Sequence, residues 1–264
     1  MAHTHSIFAG DVVHAPPRVR TIGIADLKDA LARGIDDFAA MPSHAILLCL
    51  IYPIAGLFFA RLTWGYDVLP MLYPIAAGFA LVGPFAAIGL YELSRRREQG
   101  IDISWEHAFE VFRSPSSGAI AALAVLLTII FFVWLAVAQN IYVATFGYVP
   151  AASIPEFIRQ VFTTPAGWTL MLVGNAIGFL FALVVFTISV ISFPLLLDRD
   201  VGAADAVLTS VRAVAANPVT MAVWGLIVAG LLVIGSLPLF FGLAIVMPVL
   251  GHATWHLYRR VVEP

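Results

Sequence analysis

Met247-Pro-Val-Leu-Gly-His-Ala-Thr-Trp-His-Leu-Tyr-Arg-Arg260 closes a long apolar run, and a second version of it stands at Gly83 to Arg96. Aligned without gaps, Pro84 falls on Pro248, Tyr91 on Trp255, Leu93 on Leu257, and Arg95 and Arg96 on Arg259 and Arg260. In both, a proline loosens the apolar run and an aromatic stands where hydrocarbon gives way to headgroups. An arginine pair then reaches water, as at the cytoplasmic end of a transmembrane helix. The fold expected is therefore an all-α, polytopic transmembrane helix bundle.

Composition agrees. The chain has 264 residues, 61% of them hydrophobic and 11% charged, against about 25% charged in a soluble domain. A net charge of -2 lacks the basic face that a nucleic-acid partner requires. The expected partners are the lipid bilayer and other membrane subunits or a second copy. The single cysteine, Cys49, lies in an apolar run and excludes a disulfide within the chain. The first 42 residues hold no continuous apolar stretch, so the N-terminus is expected to stay in the cytoplasm without a cleaved signal.

Residues 1–21, with His3, His5 and His14, show no sustained periodicity and read as a disordered tail ahead of one transmembrane domain, 22–264. From Asp26 onward, Leu27, Leu31, Ile35 and Phe38 recur at helical spacing, with Lys28, Asp29, Arg33, Asp36 and Asp37 elsewhere around the wheel. Pro42 ends this amphipathic helix. Six spans follow, at about 43–62, 68–93, 116–138, 166–197, 219–234 and 239–257. The fourth has no charge for 32 residues, about 48 Å as straight helix at ~1.5 Å per residue, against a hydrocarbon core of ~30 Å. It must tilt, kink near Pro194, or begin outside the membrane.

Two further amphipathic helices are expected in the cytoplasmic links. One carries Trp105, Ala108, Phe109 and Phe112 behind a Ser104 N-cap; the other has Ala204, Val207, Val211 and Val214 on one side. In the outer loop, Ile154, Phe157, Ile158 and Val161 are placed to lie along the outer surface. Amphipathic helix, proline, outward span and proline-interrupted inward span then recur three times, a possible threefold internal repeat. Orientation follows from charge. With both termini cytoplasmic, twelve of the fourteen basic residues lie inside and only Arg61 and Arg159 outside.

No nucleotide loop, nucleophile elbow or zinc-protease string occurs, so the protein reads as a non-enzyme. His252 and His256 share one helical face at i, i+4, the spacing a metal or haem site uses. No further ligand cluster completes such a site, so they read as polar or headgroup-facing residues near a helix end, and neither cofactor nor metal is expected. Glu92 falls opposite His256 in the repeat, which places the two at similar depth; it reads as a snorkelling interfacial acid near Arg95 and Arg96, with a proton-linked or gating pair as the alternative. Asn175, beside Gly174 in the fourth span, reads as interhelical glue or as part of a polar path. The small-residue pair Gly174 and Gly178 permits close helix approach.

Gly78 to Arg96, Ser192 to Asp200 and Gly251 to Arg260 resemble strings of a bacterial integral membrane protein family known as domain of unknown function 2189. The likeness extends over about Ile24 to Arg260. It implies a bacterial inner-membrane protein, and it transfers no catalytic residue. The function expected is a small transporter or channel-like protein; the alternative is a non-catalytic scaffold or accessory subunit of a membrane complex.

Overall fold

A computed structural model of the chain describes residues 17–42, 69–104, 106–108, 110, 114–148, 153–238 and 240–263. Among these the protein is helical, with no strand. The helices are α1 (Ile24–Ala40), α2 (Leu69–Ala86), α3 (Ile88–Gln99), α4 (Ser117–Phe146), α5 (Ile154–Thr163), α6 (Pro165–Ser189), α7 (Ser192–Asp198), α8 (Ala203–Ala216), α9 (Pro218–Ser236) and α10 (Leu243–Val261). The first expected span, with Cys49 and His44, lies outside the described residues, as do Trp105, Phe109 and Phe112.

Three helical segments among the described residues are long and apolar enough to cross a membrane: Ser117–Phe146, Pro165–Asp198 and Pro218–Ser236. Their outward faces are large and apolar, as at Phe132, Leu172 and Leu226. Such faces suit hydrocarbon and would be costly in water.

Starts and breaks follow local chemistry. Pro165 and Pro218 stand in the first turns of α6 and α9, where a missing N–H costs nothing. Thr164 caps α6, its Oγ1 accepting from the Gly167 N–H at 3.0 Å. The long fourth apolar run breaks at Val190 and Ile191, ahead of Pro194. There a hydroxyl enters the ladder: Ser210 of α8 donates to the Thr187 carbonyl at 2.8 Å and accepts from the Ile191 N–H at 3.2 Å. An inserted side chain of this kind bends a helix. The helix is thus interrupted ahead of Pro194, where a kink was one of three ways to fit the run, and Ser210 of α8 bonds across the interruption.

Close approach is set by small residues. A Cβ at Gly34 of α1 would lie 2.7 Å from the Ala253 Cβ of α10, and one at Gly251 would lie 2.5 Å from Leu90 Cδ1 of α3. The core is concentrated where α3, α7 and α10 meet, around Leu90, Leu93, Phe193, Leu195, Trp255 and Leu257. On the opposite side, Trp134 of α4 donates its indole N–H to the Pro74 carbonyl of α2 at 2.8 Å and packs on Phe181 of α6.

Several expectations are corrected. The buried face of α1 is Leu27, Ala30, Gly34 and Asp37, while Ile35 is 53% exposed. Backbone proximity at Gly34 turns the helix onto its small-residue edge, away from the full Leu27, Leu31, Ile35 and Phe38 stripe. On α8 the buried residues are Ala206, Thr209, Ser210 and Ala213, with the valines flanking them; the Ser210 hydroxyl serves the α6 break, and the Thr209 hydroxyl donates to the Asp205 carbonyl of its own helix. Behind Ser104, residues 106–108 and 110 form a short 3-10 turn, with the Ser104 Oγ accepting from the Glu106 N–H at 3.2 Å.

The last residues of the expected tail are also tied down. Val19 bridges Val262, the Arg20 N–H donates to the Val261 carbonyl, and the Glu263 N–H donates to the Arg18 carbonyl. Asn217 completes the clasp, accepting from the Ile22 N–H at 2.7 Å and donating to the Arg20 carbonyl at 3.0 Å. Residues 18–22 and 261–263 thus share one side of the molecule.

Candidate functional site

A cluster of polar side chains that bond between helices lies where α1, α3 and α10 meet. Gly34 and Gly251 bring the three backbones together, and Asp37, Ser94, His252 and His256 project into the junction. Asp37 lies at the centre with its side chain 5% exposed. Its Oδ2 accepts from Ser94 Oγ at 2.6 Å and from His256 Nε2 at 2.8 Å, and its Oδ1 accepts from Arg97. Ser94 Oγ lies 2.8 Å from His252 Nδ1. Burial pushes the Asp37 carboxyl up, but the bonds from His256, Ser94 and Arg97 outweigh it and hold it below the usual carboxylate range.

A ring of ion pairs encloses this centre. Glu92 takes Arg95 through two bonds, at 2.8 and 3.0 Å, and Arg96 Nε at 2.8 Å. Glu98 accepts from the Trp255 indole at 3.1 Å and from Arg259 at 3.2 Å. Asp198 of α7 accepts from the Tyr258 hydroxyl at 2.6 Å. Asp29 of α1 accepts from Arg260 at 2.6 Å, and this bond is the chief reason its carboxyl also lies below the ordinary value. Beside the ring, a cavity of about 560 Å³ is lined by Glu92, Arg95, Arg96, Glu110, Ser116, Asp198 and Arg199.

Of the residues singled out from sequence, His252 and His256 enter the junction, and neither faces headgroups: His252 is fully buried and the His256 side chain is 11% exposed. Glu92 and His256 do not pair, since Glu92 binds arginines and His256 binds Asp37. Asn175 stands apart on an outward face, its Oδ1 accepting from the Tyr73 hydroxyl at 2.7 Å and its amide donating to its own Met171 carbonyl at 2.7 Å. It joins α6 to α2. Gly178 packs on Trp134, whereas Gly174 faces open space.

Asp37 and Ser94 are the members that the sequence reading missed. The signal available was Ala30 and Gly34 at i, i+4, which mark a contact edge one turn before Asp37. Ser94 carried no comparable sign, standing beside three arginines in what reads as solvated polarity. Among the described residues, no group of three or more His, Cys, Asp or Glu is arranged to hold a metal ion.

The two copies of the opening motif also meet. Gly83 faces Met247, Leu90 faces Gly251, Ser94 faces His252 and Glu98 faces Trp255, so the helix ends run parallel and side by side.

No curated protein and no solved structure matches the chain. Residues 71–198 do match a family, which takes in the ion-pair ring on α3, the α4 and α6 spans and the α7 break but stops short of α1 and α10. The resemblance read at Gly78 to Arg96 and Ser192 to Asp200 thus finds support over 71–198, where the chain matches the family described as predicted integral membrane protein, domain of unknown function 2189.

Proposed function

We propose that this integral membrane protein is a multi-pass protein of a bacterial inner membrane, with six spans and both termini cytoplasmic. In this reading it moves a small solute or ion across the bilayer without covalent chemistry. The junction of Asp37, Ser94, His252 and His256 serves as a proton-linked gate on the cytoplasmic side. The observation carrying this reading is that junction's polarity. A static seam between three helices is served at least as well by apolar side chains, because desolvating ionisable groups offsets much of what their pairing returns. Ionisable groups in membrane helices mark pathways and proton relays by default.

The parallel apposition of Gly83–Arg96 with Met247–Arg260 supports an internal repeat, the build of many small transporters. The amphipathic α1 then acts as a cytoplasmic latch on the second copy. The test is purified full chain in liposomes with a trapped pH dye under an imposed gradient. Flux above protein-free vesicles that Asp37→Asn removes is the expected result; wild-type flux equal to that of empty vesicles rejects the reading. Topology is checked separately with reporters at Arg97, Asp200 and Val262, expected in the cytoplasm, and at Gly65 and Gly147, expected in the periplasm. A periplasmic reporter at Val262 rejects the six-span arrangement.

A second reading, an accessory subunit, draws on the Tyr73–Asn175 bond on an outward face beside open Gly174. Polar groups directed at lipid favour a partner helix. It predicts a stoichiometric companion in mild-detergent purification that Asn175→Leu releases.

A further inference from the structure

Among the buried side-chain nitrogen and oxygen atoms of the described residues, His252 Nε2 lacks a hydrogen-bond partner. Buried polar atoms are paired in the great majority of cases, so such an atom calls for an explanation. Counting donors places the hydrogens around it. The Asp37 carboxylate can only accept, so the Ser94 hydroxyl and His256 Nε2–H both donate to Oδ2. Ser94 has one proton, already directed at Asp37. Its Oγ therefore accepts from His252, which fixes the His252 proton on Nδ1. A neutral imidazole has one ring N–H, and Nε2 is left as a bare lone pair in the interior.

We propose that His252 Nε2 is the inner proton-accepting end of a relay that runs through Ser94 to Asp37, an inference that rests on the proton-linked reading above for its use but not for its geometry. A proton reaching Nε2 makes the ring an imidazolium. The Nδ1–H bond then breaks as Ser94 Oγ takes that proton, while Ser94 passes its own to Asp37 Oδ2. The ring is left neutral with its proton on Nε2, and Asp37 becomes a neutral acid. One proton has entered and one has arrived, with no change of oxidation state. Turning the ring over resets the relay.

The hydrogens thus stand ready for passage from the bundle interior toward the Asp37 side, not the reverse. Groups facing His252 are Asp37 from α1, Arg97 from α3 and His256 from its own helix, and the Leu90 carbonyl of α3 lies within hydrogen-bonding reach of the ring. Asp198 of α7 is engaged by Tyr258 and Arg259, and α9 has no ionisable side chain.

The test is nitrogen NMR of histidine-labelled full chain in nanodiscs, with His252→Gln identifying the signal. The expected wild-type spectrum at neutral pH shows Nδ1 protonated and Nε2 bare. Ser94→Ala removes the acceptor and moves the ring to the Nε2–H form, and Ser94→Thr restores the original tautomer. An Nε2–H ring in the wild type, or a tautomer indifferent to Ser94→Ala, overturns the relay. Should Ser94→Ala fail to fold, the wild-type spectrum and Ser94→Thr decide the matter. The correct tautomer without proton flux in liposomes rejects the transport reading alone, and the wrong tautomer rejects the relay whatever the flux.

Discussion

The lipid-facing helices and the junction treat their polar side chains in opposite ways. On α4, α6 and α9 many of these side chains bond back to their own helix four residues earlier, as Thr128 to Ala124, Asn140 to Ala136, Thr169 to Pro165 and Ser236 to Leu232, although Trp134, Asn175 and Thr220 reach other segments. At the junction they bond between elements far apart in the chain: Asp37 with Ser94 and His256, Glu98 with Trp255 and Arg259, Asp198 with Tyr258, Asp29 with Arg260. Self-satisfied groups let a helix sit in hydrocarbon with any neighbour or none. Cross-bonded groups specify one arrangement and leave buried donors orphaned when one member is lost. The membrane-facing part is thus tolerant, and the junction is brittle.

The sharpest way to break this contrast is Asp37→Ala. It leaves Ser94, His256 and Arg97 without their acceptor, and the expected loss is about 3–5 kcal/mol, the range for removing one partner of a buried ionic group. Thermal unfolding of the full chain in detergent reads it as a large fall in midpoint. A midpoint near that of the wild type would show that the junction is not brittle.

Acid should produce a milder form of the same break. The folded Asp37 carboxyl lies below its usual value, so its contribution is present above the unfolded pKa and is lost as pH falls through the folded one. The clamp is expected to hold down to about pH 4, the ordinary carboxylate range, and to release α1 below it. A fluorescent label at exposed Ala40 reports the release. Detachment in the neutral range would contradict the sign.

Gly34→Val tests packing in place of charge. The added side chain meets the Ala253 backbone nitrogen at 2.6 Å, and overpacking of this kind costs about 1–3 kcal/mol. Gly230→Ala is its control: nothing lies within 4 Å of the added carbon, and replacing a helical glycine gains up to about 1 kcal/mol. Opposite shifts in unfolding midpoint are expected.

The smallest effects belong to the self-satisfied class. Thr128→Val and Asn140→Ala should each stay within about 0.5 kcal/mol, as for surface changes away from special features. A loss as large as that of Asp37→Ala would erase the distinction between the two regions.

Legibility from sequence divides along the same line. The spans on α4, α6 and α9 were readable because burial in hydrocarbon needs only apolar composition and length, both local properties. The break ahead of Pro194 was readable for the same reason, since proline acts within one turn. Asp37 was not, because a hydrophobic wheel ranks Leu31 and Ile35 above Ala30 and Gly34, whereas backbone approach favours the small residues. Ser94 was hidden by distance: its partners lie 57 and 158 positions away, and no local pattern marks them. His252 and His256 were found by spacing, but their partners were not, because only α1 packed across them turns a helix end into an interior.

The union of α1 with α10 also sets an order of events during synthesis. Asp37 and His256 are separated by 219 positions, so at a synthesis rate of about 5–20 residues/s, α1 waits roughly 10–45 s for its counterpart to be made. Through that interval Gly34 and Asp37 have no α10 to meet, and α1 is left undocked. Docking is then a closing step that follows insertion of the spans. A chain stalled or cut before His256 would leave α1 undocked, a mark by which quality-control proteases could tell an unfinished copy from a complete one.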